Sequence, residues 1–254
     1  TSLFEVGPEL LALLLAVAFV AGFVDSIAGG GGLITLPVLL LAGATPLQAL
    51  STNKVQGCFG SATAAISYAR AGLVNWRSQF RWAVLAFGAS LIGAFVASAL
   101  PIGLIRGILP VVLIGVALFF AFKPELGNLD RKARLAPVVF GLICVPIVGF
   151  YDGVLGPGAG SFYMLAFVMF AGFGVLKATA HTKLLNFASN IGGLVMFALV
   201  ADIWWATGLA MGVAQIGGAG VGARFAMRAG ARVIKGLVVV TSVALALRLM
   251  WEWI

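Results

Sequence analysis

Charged residues are scarce in this sequence. Of its 254 residues only 9% are charged, whereas 62% are hydrophobic, and the mean hydropathy is +1.12. A water-soluble domain of this size could not cover its surface with so few polar side chains. Apolar stretches long enough to cross a bilayer recur along the chain, each needing about 20 residues as helix. The composition therefore excludes a soluble catalytic domain and predicts a chain embedded in lipid over most of its length.

Histidine and cysteine are also nearly absent. His181 is the only histidine, which excludes a multi-histidine metal site. Cys58 and Cys144 lie in separate apolar stretches and lack the spacing of a disulfide framework or a metal cluster. The sequence contains neither a His-Glu-x-x-His nor a Gly-x-Ser-x-Gly motif. We therefore expect no enzymatic activity, no metal and no cofactor.

Basic residues outnumber acidic ones, with 16 Lys and Arg against 8 Asp and Glu. In a soluble protein this excess would suggest a nucleic-acid partner. In a membrane protein it is typical of cytoplasmic loops, where lysine and arginine fix the orientation of the chain. We therefore expect the lipid bilayer, and no nucleic acid, as a partner.

The two halves of the sequence repeat one pattern. The first pairs align at an offset of 127 (149 − 22), and later pairs at 129 (183 − 54) after a two-residue slip. Aligned charged and tryptophan residues are the informative ones in a chain that has so few of them. The pairs include Gly22 with Gly149, Phe23 with Phe150, Asp25 with Asp152, Lys54 with Lys183, and Trp76 with Trp205.

The arginines predict opposite membrane orientations for the two halves. One loop of the first half carries Arg70, Arg77 and Arg81, whereas its counterpart at 202–206 has no basic residue. One loop later the imbalance reverses, since 101–106 holds one cation and 224–235 holds four. Because basic loops stay in the cytoplasm, both comparisons indicate inverted topology.

We predict an all-α integral membrane protein of two inverted repeats, with about five membrane segments in each repeat and broken or short helices at the glycine-rich tracts. The first repeat is 1–122, a cytoplasmic inter-repeat loop is 123–134, and the second repeat is 135–254, with both termini outside the cytoplasm. The second segment of each half has only about 13 residues, so the first two segments can instead form a re-entrant pair. The predicted segments are 9–28, 32–44, 50–70, 80–100, 104–122, 135–155, 159–173, 178–200, 206–223 and 234–251.

A glycine-rich tract interrupts the first apolar run of each half. Glycine at this density disfavours a continuous helix, and backbone freed inside a membrane must be buried in protein or line a cavity. The helix that restarts after each tract presents unpaired N–H groups, which suit an anion. The other interpretation is that these glycines only allow close helix packing. The residues expected to bind substrate here are Gly30, Gly31, Gly32, Gly158, Ala159 and Gly160.

Three ionisable residues near the tracts are candidates for coupling or structural roles. Asp25 and Asp152 come a few residues before the breaks, where a carboxylate would repel an anionic substrate. We therefore expect them to anchor the broken backbone or to couple protons, and not to bind substrate directly. His181 is a candidate proton relay.

Polar residues form a stripe on the third segment of each half. Lys183, Asn186 and Asn190 share one face of a predicted helix, and such a stripe must face the protein interior. The lysines can be ordinary helix-end charges that reach the interface, or they can coordinate an anion. The candidates for substrate binding on these segments are Asn53, Lys54, Gln56, Thr182, Lys183, Asn186 and Asn190.

With these motifs the sequence resembles the sulfite exporter TauE/SafE family over essentially its whole length. The shared pattern is a glycine-rich break after the first helix of each half, followed by an Asn/Thr-Lys segment. The matching positions are Asp25, 29–32, Asn53, Lys54, Asp152, 156–160, Thr182, Lys183 and Asn186. The resemblance implies a bacterial inner-membrane transporter of sulfite or small organosulfur anions, typically an exporter.

From the residues and the resemblance together we expect a multi-pass secondary transporter that moves a sulfite or sulfonate anion by alternating access. The alternative is a passive small-anion channel, which would share the pore-lining residues. Coupling to protons or sodium and assembly into a homo-oligomer stay open at this point.

Overall fold

The computed structural model describes residues 3–101, 103–105, 107–108, 111 and 129–229. Most of the predicted segment 104–122, the first half of the loop 123–134 and all of the segment 234–251 lie outside the described residues. The helices with defined bounds are α1 (Pro8–Ala28), α2 (Gly31–Leu41), α3 (Pro46–Arg70), α4 (Trp76–Ala99), α5 (Pro137–Val154), α6 (Ala159–Met169), α7 (Val175–Val200) and α8 (Trp205–Ala229).

The described helices match the predicted segments, but several begin earlier than expected. Helix α3 begins at Pro46 because Thr45 and Gln48 form a capping box, in which each side chain accepts from the other residue's backbone N–H. Helix α4 begins at Trp76 because the Asn75 side chain accepts from the N–H of Arg77 at 3.0 Å. The hydropathy pattern places both starts four residues too late, because it does not register capping residues.

Four helices are long and apolar enough to cross a membrane, namely α1, α4, α5 and α7, as judged within the described part of the chain. Helices α3 and α8 have 25 residues each, which corresponds to about 37 Å. The lower hydropathy of α3 has a structural cause, because this helix keeps a run of polar side chains buried inside the protein. The buried polar residues of its first half are Ser51, Thr52, Asn53, Lys54 and Gln56.

The short helices α2 and α6 do not cross a bilayer. Each has 11 residues, or about 16 Å, which is half of the hydrocarbon thickness. The end of α6 lies beside the start of α5, because the Phe170 carbonyl oxygen accepts from the N–H groups of Arg134 and Leu135 at 2.9 and 3.1 Å. Helix α6 therefore returns toward the end from which α5 started, as a re-entrant pair does.

The pair α1 and α2 is arranged in the same way. Glu5, just before α1, accepts hydrogen bonds from the start of α8. Gln48 lies in the first turn of α3, which follows α2 after a short turn, and it donates to Asp202 in the turn before α8 at 2.8 Å. The beginning of α1 and the end of α2 therefore lie at the same end of the bundle. Of the two alternatives that the sequence leaves open, the described residues support the re-entrant pair.

Helix directions follow from contacts along the packed faces. Thr52 and Val55 lie against Gly208, while Arg70 and Arg224 border one surface cavity, so α3 and α8 run parallel. Helices α4 and α7 also run parallel, because their starts share a cavity and their middles touch where Gly192 packs on the Phe87 carbonyl. Helix α3 packs between α7 and α8, α1 packs on α8, and α5 packs on α4.

Candidate functional site

Two broken helices meet in the middle of the bundle. Helix α2 starts after Gly30, with φ of 105°, and α6 starts after Gly158, with φ of 78°. Both are left-handed backbone conformations that glycine adopts without strain. The first N–H groups of each helix have no partner within the helix, so two helix N-termini face the same space.

This space is a small cavity of about 30 Å³. It has room for about two water molecules. Its walls combine backbone of both breaks with carboxylate and amide side chains of the surrounding helices. The lining residues are Asp25, Gly30, Gly31, Gly32, Asn53, Gly57, Asp152, Gly156, Gly158, Ala159, Gly160, Asn186, Asn190 and Gln215.

Asp25 anchors the first break. Its Oδ1 atom accepts from the N–H groups of Gly30 and Gly31 at 3.0 and 3.1 Å, which fixes the start of α2. Its Oδ2 atom lies 3.3 Å from Nζ of Lys183, a side chain with no solvent exposure. Lys183 also donates to the Asp25 carbonyl oxygen. One lysine of the second half therefore neutralises the aspartate of the first half.

Asp152 forms the corresponding pair with the other half. Its Oδ1 atom lies 2.5 Å from Nζ of Lys54, and both side chains are 2% exposed. Its Oδ2 atom accepts from the Ser189 hydroxyl and, at 3.3 Å, from the Asn186 amide. All of these donors are side chains, whereas Asp25 is held by backbone N–H groups. The two aspartates match in sequence but differ in how they are bound.

A chain of amides orients Asn53 at the cavity wall. Asn53 Oδ1 accepts from the Thr35 hydroxyl at 2.7 Å and from Gln56 Nε2 at 3.1 Å. Gln56 in turn accepts from Gln215 Nε2 at 3.1 Å. Asn53 Oδ1 accepts both hydrogen bonds, so the Nδ2 group of Asn53 faces the other way and is available as a donor. It lies next to Gly32, where an added Cβ would be 3.1 Å from Nδ2.

Direct contacts join the two breaks. The Ser161 hydroxyl, in the first turn of α6, lies 2.8 Å from the Ala28 carbonyl oxygen and 3.0 Å from that of Gly29. A Cβ added at Gly29 would lie 2.3 Å from the Ser161 nitrogen. The breaks therefore approach each other so closely that only glycine fits at this position.

The structure brings most of the predicted binding residues together at this cavity. The glycines and Ala159 of both tracts, Asn53, Asn186 and Asn190 line it, as do both aspartates. Lys54 and Lys183 are not among the lining residues, and each pairs with an aspartate that does line the cavity. The sequence alone did not predict this pairing of lysine and aspartate across the two halves.

Three predicted residues lie away from the cavity wall. Gln56 is buried behind Asn53, and the Thr182 hydroxyl is buried without a hydrogen-bond partner among the described residues. His181 borders a separate cavity of about 260 Å³ that is lined mainly by the start of α4, the start of α5 and the end of α6. Its Nδ1 atom lies 2.9 Å from the Lys177 carbonyl oxygen. Nothing in this position connects His181 to the central site, so its relay role stays a prediction.

Sequence reasoning missed several residues of the site. Gln215 lines the cavity from α8, and Ser189 donates to Asp152 from α7. Gly57 allows the close approach of Asn190, whose Oδ1 would lie 3.0 Å from an added Cβ. A signal was present for Gln215, because it is the only polar side chain in an otherwise small and apolar stretch, 208–223.

A bundle of apolar helices with two re-entrant breaks, and a buried polar cavity between them, defines a membrane transporter. Comparison with known proteins agrees with this class. The family model for the sulfite exporter TauE/SafE matches residues 14–249. The chain therefore belongs to the sulfite exporter TauE/SafE family of membrane proteins.

Relatives with similar sequences carry transporter names. A probable membrane transporter protein, ORF9, of a Sinorhizobium species is 54% identical over 95% of this chain and 93% of its own length. The probable membrane transporter protein YfcA of Escherichia coli K12 is 45% identical over 99% of this chain and 93% of its own. A probable membrane transporter protein of Haemophilus influenzae is 40% identical over 98% and 97%. No solved structure matches the chain.

Proposed function

We propose that this protein is a secondary transporter that exports sulfite or a small sulfonate anion by alternating access. The observation that carries the proposal is the meeting of two helix N-termini at one buried cavity, flanked by two lysine–aspartate pairs. Both N-termini and the Asn53 amide border the same space, where Asp25 already accepts from the Gly30 and Gly31 N–H groups of the first N-terminus. An anion with several oxygen acceptors fits such a donor set, and the matching family is named for a sulfite exporter.

The size of the cavity supports alternating access over an open channel. At about 30 Å³ it has room for about two water molecules, which is little space for an anion with several heavy atoms. We therefore expect the site to widen when substrate enters. The contacts that close it join the two halves, as Ser161 does with Ala28 and Lys54 with Asp152. Separation of the halves would open these contacts and the cavity together.

Helix directions support two inverted repeats. Helix α4 follows α3 through a short turn and runs back to the level of Lys54, because Lys54 of α3 and Ser90 of α4 both lie next to Gly193. Helix α4 is parallel to α7. Helices α3 and α7, which carry the matched Lys54 and Lys183, therefore run in opposite directions. Two halves of opposite orientation can open toward opposite sides of a membrane by related movements.

Charge distribution supports a cytoplasmic position for one end of the bundle. Arg70 and Arg224 border one cavity at this end, and α4 starts nearby with Arg77 and Arg81. Residues 131–134 lie near the start of α4, where they add three more cations. Glu5 and Asp202 lie at the opposite end. By the positive-inside rule the basic end faces the cytoplasm of a bacterial inner membrane.

The binding site is tested with purified protein and a panel of sulfite, sulfoacetate, methanesulfonate, sulfate and chloride. Calorimetry should detect selective binding by the wild type, and Lys183→Met should abolish it because the positive charge is lost. Lys177→Met is the matched control, since Lys177 lies on the same helix at the surface, paired with Asp130. It should bind as the wild type does.

Removal of Lys54 needs a second variant, because Lys54→Met alone leaves Asp152 buried without a cation. The double variant Lys54→Met/Asp152→Asn removes both charges and should fold but bind anions weakly. Wild-type affinity in this variant and in Lys183→Met would contradict the proposed lysine roles. In proteoliposomes, stimulation of efflux by substrate on the opposite side supports alternating access, and its absence with rapid flux favours a channel.

A further inference from the structure

We propose that the transported anion moves together with a proton, and that the proton binds at Asp152. This inference rests on the proposed anion transport and adds a co-substrate and its binding site. It is based on the charge balance of the buried site and on the different bonding of the two aspartates.

The site is electrically balanced before any substrate binds. Lys54 and Lys183 contribute two positive charges, and Asp25 and Asp152 contribute two negative charges. Entry of one monovalent anion would leave one uncompensated negative charge in a cavity walled by buried side chains. An isolated ion in such surroundings is very costly, so a buried group takes up a proton or a cation enters with the anion.

The aspartates, and not the lysines, face the incoming anion. Asp25 and Asp152 line the cavity, whereas Lys54 and Lys183 lie behind them. An anion that contacts either lysine must displace the carboxylate that now holds it. The displaced carboxylate then lies beside the anion without its cation. Protonation removes this repulsion and converts the carboxylate into a hydrogen-bond donor.

Asp25 is poorly suited to accept this proton. Two backbone N–H groups, of Gly30 and Gly31, donate to its Oδ1 atom, and these donors cannot turn away without unwinding the start of α2. Loss of the charge would also release the break that forms one wall of the site.

Among the residues that the structure describes, Asp152 is bound by side chains alone, and these can rotate. Lys54 holds Oδ1, while Ser189 and Asn186 donate to Oδ2. When the Lys54 ammonium turns to the anion, Asp152, whose side chain is 2% exposed in this structure, loses its cationic partner. A hydronium ion of the solvent then gives a proton to the free oxygen of Asp152. One O–H bond forms on the carboxyl as one O–H bond of hydronium breaks, water leaves, and the charge of the site is balanced again.

The described groups around Asp152 include no second cation that could replace Lys54. Among the described residues, Lys54 of α3 is the cation that pairs with Asp152. Asp25 of α1 also lines the cavity, and Lys183 of α7 pairs with Asp25. Helix α4 brings the uncharged Ser90 to this level, against Gly153. The remaining titratable neighbours are neutral at pH 7 in their ordinary state, and they are Tyr151, Cys58 and Tyr163.

Proton uptake on binding gives a direct test. Methanesulfonate is the probe, because its sulfonate group stays ionised near neutral pH whereas sulfite itself titrates. Sulfoacetate, a dianion near neutral pH, replaces it if only that sulfonate binds, and at least about one proton should then be taken up per molecule bound. In weakly buffered solution with a pH indicator, wild-type protein should take up about one proton per monovalent anion bound. By linkage, its affinity should rise about tenfold for each unit of decrease in pH while free Asp152 is ionised.

Asp152→Asn imitates the protonated residue and should bind the probe without proton uptake and with little pH dependence. Asp130→Asn, at a surface ion pair outside the site, is the control and should take up protons as the wild type does. Binding by wild type without proton uptake would overturn the inference while the anion site stands. Binding that requires sodium would overturn it in favour of sodium coupling. If none of the anions in the panel binds, the proposed function itself fails.

Discussion

Lys54 Nζ lies 2.5 Å from Asp152 Oδ1, although 98 residues separate them and each belongs to a different half of the sequence. The pair is 2% exposed on both sides, and its counterpart joins Lys183 to Asp25. Each half therefore supplies the cation for the aspartate of the other half. A movement that separates the halves has to break or exchange these pairs, which ties the charge state of the site to the conformation of the protein.

The Lys54–Asp152 pair should behave as a structural unit in stability measurements. Lys54→Met should lower the free energy of unfolding by about 3–5 kcal/mol, because it leaves a buried carboxylate without its cation. Addition of Asp152→Asn to this variant should restore at least about half of the loss. Reversible unfolding in mixed micelles measures both values. Equal destabilisation in the single and double variants would show that the pair is not energetically coupled.

Because the two breaks are in close contact, we expect Gly29→Ala to lower the free energy of unfolding strongly. Gly29 has φ of 76°, and an added Cβ would lie 2.3 Å from the backbone nitrogen of Ser161. Gly72 has φ of 75° but nothing within 4 Å of its added Cβ. Gly72→Ala should therefore cost only the backbone strain, about 1 kcal/mol, and Gly29→Ala about 1–3 kcal/mol more. Unfolding experiments on the two variants separate strain from contact, and similar losses would argue against the close approach.

Substrate binding should be sensitive to a single methyl group at Gly32. An added Cβ there would lie 3.1 Å from Asn53 Nδ2, so it competes with an anion for that donor. We expect Gly32→Ala to weaken anion binding at least about tenfold without loss of stability, since alanine favours helix. Gly88→Ala, on α4 with nothing within 4 Å, is the control for the helix effect. Calorimetric titration of both variants checks this, and unchanged affinity in Gly32→Ala would place the anion elsewhere.

Glu5 should make the start of α8 sensitive to acid. Burial raises the pKa of Glu5, but hydrogen bonds from the Thr207 hydroxyl and from the N–H groups of Thr207 and Ala206 outweigh it, so the pKa is lowered overall. A lowered folded-state pKa contributes stability above the ordinary value of 4.5, and this contribution is lost as the pH falls below it.

Glu5→Gln should therefore lower stability by about 1 kcal/mol at pH 7, a modest value because Glu5 is largely exposed. The difference from wild type should shrink below pH 4.5. Glu9→Gln, at an exposed position in the first turn of α1, is the control. Thermal unfolding in detergent across this pH range measures the effect, and a difference that grows in acid would contradict the assignment.

Much of the helical layout could be predicted because each signal is local. Breaks at 29–32 and 156–160 follow from glycine content, and the long helices follow from apolar runs of sufficient length. The starts of α3 and α4 were placed late because hydropathy does not register capping by Thr45 or Asn75. The direction of α2 and α6 could not be read from length alone, since it depends on which helices they pack against.

The sequence by itself determined that the chain lies in a membrane, that its halves share one pattern, and that polar residues gather at two breaks. These properties depend on composition and spacing along the chain. Only the tertiary structure decided that Lys54 and Lys183 face the aspartates of the opposite halves and that Gln215 completes the cavity wall. The physical reason is that a buried charge must find its partner in space, and residues far apart in sequence become neighbours only when the helices pack.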